Sequence, residues 1–167
     1  MSPADDPWYR LARAPTPADE RCRCAARGAV VLCDTLGPNP LLCLDCRGEV
    51  SPGSLPVPDA EARRVADALA DWHRVHGALY RLWLDSAEYE AFAAAELRHP
   101  GSAVNRRGEA ARRELDAFVP SYIYLFDADA VEPASPPTCR LCPRCAGRPL
   151  APRGRFLVCD DCHAALG

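Results

Sequence analysis

Cys142-Pro-Arg-Cys145-Ala-Gly-Arg-Pro-Leu-Ala-Pro-Arg-Gly-Arg-Phe-Leu-Val-Cys159-Asp-Asp-Cys162 is the stretch that decides the reading of this chain. Two Cys-x2-Cys pairs stand at its ends. Each such pair forms a tight turn whose backbone N–H groups point at the sulfur atoms. Two of these turns, presented by a short hairpin, complete a tetrahedral set of four thiolates around one ion, with Zn–S near ~2.3 Å. The intervening residues suit that hairpin. A turn at Arg153-Gly154 leads into an apolar strand, Arg155-Phe-Leu-Val158, which feeds the second Cys pair. Gly147 is expected to relieve the backbone after the first pair. Four sulfurs close the coordination sphere and leave no position for water or substrate, which marks a structural ion. A thioredoxin-like redox pair needs a βαβ setting that these residues lack. Cys139 could replace a member of the first pair, and His163 directly follows the last ligand.

The chain has 167 residues and ten cysteines. They lie in two clusters, one near each end, with about ninety cysteine-free residues between them. The N-terminus has no basic segment followed by an apolar run, so it does not read as a secretory signal. No stretch approaches the ~18 apolar residues that span a bilayer. A cytoplasmic location follows as the expectation, and there paired cysteines are metal ligands more often than disulfides. All 20 basic residues are arginine. With abundant Ala and Pro, this points to GC-rich coding and a bacterial source.

The first cluster offers Cys43-Leu-Asp-Cys46-Arg-Gly48 as a second knuckle, with Cys22-Arg-Cys24 as its shorter partner. Between them run an apolar strand, Ala29-Val-Val-Leu-Cys33, a loop, Leu36-Gly-Pro-Asn-Pro40, and a second strand, Leu41-Leu-Cys-Leu44. Cys22, Cys24, Cys43 and Cys46 are therefore expected to hold a second zinc ion. Cys33, alternating with Val31, reads as a buried small hydrophobe, although it could replace one of the first pair.

The middle is helical. Asp59 can cap a helix in which Val65, Leu69, Trp72, His76 and Leu79 recur at steps of three and four. Asp85-Ser-Ala-Glu88 reads as the start of a second helix lined by Tyr89, Phe92, Ala93 and Leu97. Ser102 can cap a third, with Val104, Ala111, Leu115 and Phe118 on one face and Gly108 at a close packing contact. Ser121-Tyr-Ile-Tyr-Leu-Phe126 alternates like a strand. The expected fold class is α+β, a small helical core flanked by an N-terminal and a C-terminal zinc-ribbon-like β module. The divisions are a flexible N-terminus over 1–19, a ribbon-like module over 20–50, a helical core over 51–131 with a strand near 121–126, and a C-terminal ribbon over 138–167. A Pro-rich linker, 132–137, separates the last two.

Tyr80-Arg-Leu-Trp-Leu-Asp-Ser-Ala-Glu-Tyr-Glu90, Asn105-Arg-Arg-Gly108, Tyr122-Ile-Tyr-Leu-Phe126 and the Cys-Pro-x-Cys ribbon follow one another in an order that resembles an uncharacterised bacterial family of zinc-ribbon-containing proteins. Leu41-Leu-Cys-Leu-Asp-Cys-Arg-Gly48 fits the first cysteine segment of that family. The resemblance implies zinc binding and a nucleic-acid-binding role. The Cys22-x-Cys24 pair departs from the pattern.

Catalysis is not expected. His73, His76 and His99 could work with Asp71, Asp85 or Glu88, but the first two sit on an amphipathic helix. No HExxH, phosphate loop or nucleophile elbow is present. Two binding roles remain. For nucleic acid, the C-terminal ribbon carries five arginines against Asp160 and Asp161. Arg144, Arg153 and Arg155 are the candidate phosphate contacts, and Phe156 is a candidate for stacking on a base. For a protein-binding adaptor or regulator, the whole-chain charge argues the other way. It is −3 with neutral thiols and falls to about −7 once eight thiolates hold two divalent ions, which leaves little general attraction for phosphates.

Overall fold

The computed structural model describes residues 6–9, 11, 16–34, 37, 39–127 and 140–167. The chain is of the α+β class, as its sequence implies. In order come β1 (Val30–Leu32), β2 (Leu41–Cys43), a 3-10 turn (Pro52–Ser54), α1 (Asp59–Asp85), α2 (Glu90–Arg98), α3 (Ala103–Asp116), β3 (Ser121–Tyr124), β4 (Ala151–Arg153), β5 (Phe156–Cys159) and β6 (Ala164–Leu166).

The strands form one six-stranded sheet in the order β2-β1-β3-β6-β5-β4. β3 lies at its centre, parallel to β1 on one side and to β6 on the other. The remaining neighbours are antiparallel. Both cysteine regions and the segment that follows the helices thus contribute to a single sheet. The segments 1–5, 12–15 and 128–139, which hold about half of the expected N-terminal tail, the Pro-rich linker and Cys139, lie outside the described residues, as do single positions such as Leu36 and Pro38 in the loop before β2.

Alternation along the strands sends successive side chains to opposite faces. Val30, Leu32, Leu41 and Cys43 pack with Val65, Leu69 and Trp72 of α1 and with Val104, Ala111 and Leu115 of α3. Val31, Cys33, Leu42, Leu44, Tyr122, Phe156, Val158 and Ala165 make a second core on the other face. That face needs no helical cover because the sheet curls on itself. The turn between β4 and β5 returns to the end of β2, where the Arg155 N–H donates to the Leu44 carbonyl (3.3 Å). Gly154, at φ +58°, lies so close that an added Cβ would come within 2.5 Å of Asp45 Cα. Of the two edge strands, β2 is buried and β4 is exposed.

α1 presents its apolar stripe as its periodicity requires, with Val65, Leu69, Trp72 and His76 buried. Its N-cap is Pro58, and Asp59 is the first helical residue, placing its carboxylate in the first turn without a capping hydrogen bond. Asp85-Ser-Ala-Glu88 closes α1 instead of opening α2, which starts at Glu90 with Tyr89 as its N-cap. The reason lies in Ala87, whose left-handed φ of +50° turns the chain after the Ser86 cap. Ser102 caps α3 as expected, its Oγ accepting from the Asn105 N–H (3.2 Å). Gly108 brings α3 against α1 and β3, since a Cβ there would lie 2.8 Å from Trp72 Nε1. No helix among the described residues is long and apolar enough to cross a membrane.

Candidate metal centres

The two cysteine groups assemble as their spacing predicts. Cys22, Cys24, Cys43 and Cys46 bring their Sγ atoms within 4.8 Å of one another, and so do Cys142, Cys145, Cys159 and Cys162. Four sulfurs at ~2.3 Å from a central ion in a tetrahedron are separated by roughly 3.8 Å. Each group therefore needs only a small contraction to close on a metal ion, and either could hold one. Cys33 stands apart from both, buried at the end of β1 among Val31 and Tyr122. Its burial pushes the thiol up to about 12, in keeping with a core side chain.

Local backbone explains why these turns form. Arg47 donates its N–H to the Cys43 carbonyl (2.9 Å), and Ala146 donates to the Cys142 carbonyl (2.8 Å). The chain then returns, with Cys43 donating to Gly48 and Cys142 to Arg148 (both 2.8 Å). Arg47, Ala146 and His163, each following the last cysteine of a Cys-x2-Cys pair, have positive φ values of 64°, 52° and 50°. For residues with a Cβ this conformation costs roughly 1–2 kcal/mol. Three repeats of the same unfavourable geometry at equivalent positions fit turns shaped around a ligand. Ala146, not the expected Gly147, carries the left-handed conformation. Cys22-Arg-Cys24 lacks such a turn. It is held instead by Gly48, where a Cβ would come within 2.7 Å of the Cys22 nitrogen, and by the Cys22 N–H donating to the Glu49 carbonyl (2.9 Å).

The electrostatics favour a cation. Backbone N–H groups of Arg148 and Gly147 lower the Cys145 thiol to about 7. Hydrogen bonding to Cys46 and Cys22 pushes Cys24 up to about 12, while burial and then Cys145 and Cys159 do the same to Cys162. Four adjacent thiols cannot all ionise alone, and a divalent ion lifts that restriction.

The expected nucleic-acid contacts fare differently. Phe156 is 3% exposed, packed in the second core with the Arg47 guanidinium 5.4 Å from its ring centroid. Its ring is not open to a base, because Phe156 and Val158 share the inward side of β5. Arg144 is turned inward as well. Its Nη1 donates to Glu109 Oε2 (2.8 Å) and to the Cys162 carbonyl (2.9 Å), tying the last ribbon to α3. Arg153 lies against Asp160 (3.2 Å) and donates to the Tyr122 hydroxyl (2.6 Å). Arg140 pairs with Asp127 (2.8 Å) and Arg148 with Asp161. Arg155 is exposed in the β4–β5 turn.

Two features escaped sequence reading. Glu109 is a hub that also binds Arg112 (3.0 Å) and Arg113 (2.9 Å). Burial alone would raise its pKa, but Arg112 and Arg144 outweigh that and hold it at about 2. The second feature is the partner of the helix histidines. Asp34, just beyond β1, places its carboxylate 3.4 Å from His73 Nε2 and 3.5 Å from His76 Nδ1. Asp71, by contrast, pairs with Arg74 (3.5 Å). Burial penalises the Asp34 charge, yet the two imidazoles beside it keep its carboxyl well below the usual range. The Glu109–Arg144 and Asp34–histidine contacts are not signalled in the sequence, since each joins residues more than thirty positions apart. No family model, no curated protein and no solved structure matches the chain, so its role is argued from these residues and their geometry.

Proposed function

We propose that this is a non-catalytic bacterial protein of the cytoplasm in which two structural zinc ions, each held by four thiolates, brace one curled sheet that carries a protein-contact surface. The observation that carries the metal reading is the pair of closed four-sulfur groups within 4.8 Å. Zinc is the natural occupant of four thiolates in a tetrahedral, redox-silent site. The nine described cysteines are all free thiols, which suits a reducing compartment.

A protein partner is favoured over nucleic acid by the fate of the ribbon arginines. Arg140, Arg144, Arg148 and Arg153 each lie against a carboxylate, so their charge is spent within the molecule. Binding to a phosphate backbone depends on cations free to displace counterions. The test is titration of the zinc-loaded protein with single-stranded and duplex oligonucleotides at low salt. The expected result is no binding. Association that weakens steeply with salt would return the role to nucleic acid, as the family resemblance implies.

A further inference from the structure

Among the described residues, five large hydrophobic side chains are more than half exposed, and three of them fall within nine residues of one another. Leu84 is 54% exposed on the last turn of α1, Tyr89 is 56% exposed at the N-cap of α2, and Phe92 is 57% exposed one turn later. The periodicity of α2 places Tyr89 and Phe92 on its apolar side, yet only Ala93 and Leu97 are buried. These two face the rest of the fold, and the aromatic pair, three residues apart, projects to solvent. Together the three side chains expose roughly 300 Å² of mainly apolar surface, comparable to the largest patch on a typical monomer. A standard interface takes about 800 Å² from each partner, so such a patch suits the centre of one.

The surroundings of the patch give the partner its chemistry. Residues 84–92 contain Asp85, Glu88 and Glu90 and no basic residue. All three carboxylates are exposed and have no side-chain partner among the described residues. Several acids elsewhere meet arginines: Glu61 with Arg64, Asp71 with Arg74, Glu109 with three guanidiniums, and Asp127, Asp160 and Asp161 with one each. The turn is also held in a costly shape, because Ala87 sits at φ +50°.

We infer that the α1–α2 corner is a docking surface for another protein, one that presents apolar side chains ringed by Arg or Lys. This inference rests on the protein-contact reading above and names its surface. Apolar burial supplies affinity at the centre, and the acidic rim supplies selection and rate. A second copy of this chain is disfavoured as the occupant, since three carboxylates from each copy would face one another.

The test uses the full-length, zinc-loaded protein and two labelled amphipathic peptides with leucines at positions i, i+3, i+4 and i+7. One carries Arg at the intervening positions and the other Glu. Anisotropy titrations at low salt should show saturable binding of the Arg peptide alone. Phe92→Ser and Glu88→Arg/Glu90→Arg should each weaken it about 10-fold or more, and the charge-reversed variant should gain affinity for the Glu peptide. Because these side chains are exposed, both variants should melt with the wild type, which separates lost docking from lost folding. Equal binding of both peptides, no binding of either, or indifference to Phe92→Ser would overturn the inference. So would sedimentation showing a dimer that Phe92→Ser dissolves, since the occupant would then be a second copy. An oligonucleotide arm separates the two readings: nucleic-acid binding defeats the protein-contact role itself, whereas peptide failure without it defeats only this surface.

Discussion

Replacing Glu109 with Gln tests how the C-terminal metal centre is anchored. The carboxylate joins three arginines: Arg112, whose side chain is 6% exposed, Arg144 of the Cys142-Cys145 knuckle, and Arg113 at the surface. Its carboxyl is held at about 2 from an ordinary 4.5, which corresponds to about 3 kcal/mol favouring the ionised form in the fold, at ~1.36 kcal/mol per pH unit. Solvent screening on the Arg113 side reduces this, and about 2–3 kcal/mol is the expected loss for Glu109→Gln. The sign follows from the direction of the shift. A depressed folded pKa contributes stability that is complete above the ordinary value and is lost as pH falls toward 2. Urea unfolding of zinc-loaded wild type and variant should therefore differ fully at pH 7, and the gap should narrow below about pH 4.5. The variant should also surrender its C-terminal ion to a chelator faster, because Arg144 loses its brace. A difference under ~0.5 kcal/mol at pH 7, the scale of a surface pair, would refute the anchoring role.

The other perturbations address the sheet and the buried Asp34 carboxylate. Gly154→Ala adds a Cβ at φ +58° against the backbone of Leu44 and Asp45. It should cost ~2–3 kcal/mol and, because this turn abuts the first knuckle, weaken zinc retention at both sites in chelator competition. Phe156→Ala should lower stability by about 3–5 kcal/mol in denaturant titration; a stable variant would mean that the ring does not pack in the second core. Asp34→Asn should cost about 2 kcal/mol at pH 7, the scale of a perturbed buried polar contact, and lower the melting temperature by ~4–8 °C. Since the Asp34 carboxyl is depressed in the fold, that penalty should fade in acid, and a constant penalty across pH would speak against an ionised Asp34.

Much of this architecture is legible in local patterns. The Cys-x2-Cys spacings place three of the four cysteine pairs because knuckle geometry depends on a few consecutive residues, whereas Cys22-x-Cys24 is positioned by Gly48 and Glu49. The stripe Val65, Leu69, Trp72, His76 reports α1 because a helix buries one face at a fixed period. What stays hidden depends on pairing between distant segments. β3 sits between strands from the two cysteine regions, and nothing in Ser121-Tyr-Ile-Tyr124 announces parallel neighbours on either side. Phe156, flanked by Arg155 and preceded by Arg153, reads as part of a basic surface until the β5–β6 register turns it inward. Arg144 looks like a free cation until the fold brings Glu109, thirty-five residues earlier, to within 2.8 Å. The boundary between α1 and α2 shifts because Asp85 and Ser86 favour a helix start, while the left-handed Ala87 makes them a helix end.

Two closed four-thiolate zinc sites are proposed to brace the curled sheet. Zinc K-edge X-ray absorption of the purified protein, calibrated by metal analysis of the same sample, reads out the ligands of both ions. The expected result is two zinc ions per chain, four sulfur neighbours per ion at ~2.3 Å, and no shell of nitrogen or oxygen ligands. One ion per chain, bound iron, or a mixed sulfur and light-atom shell would contradict it.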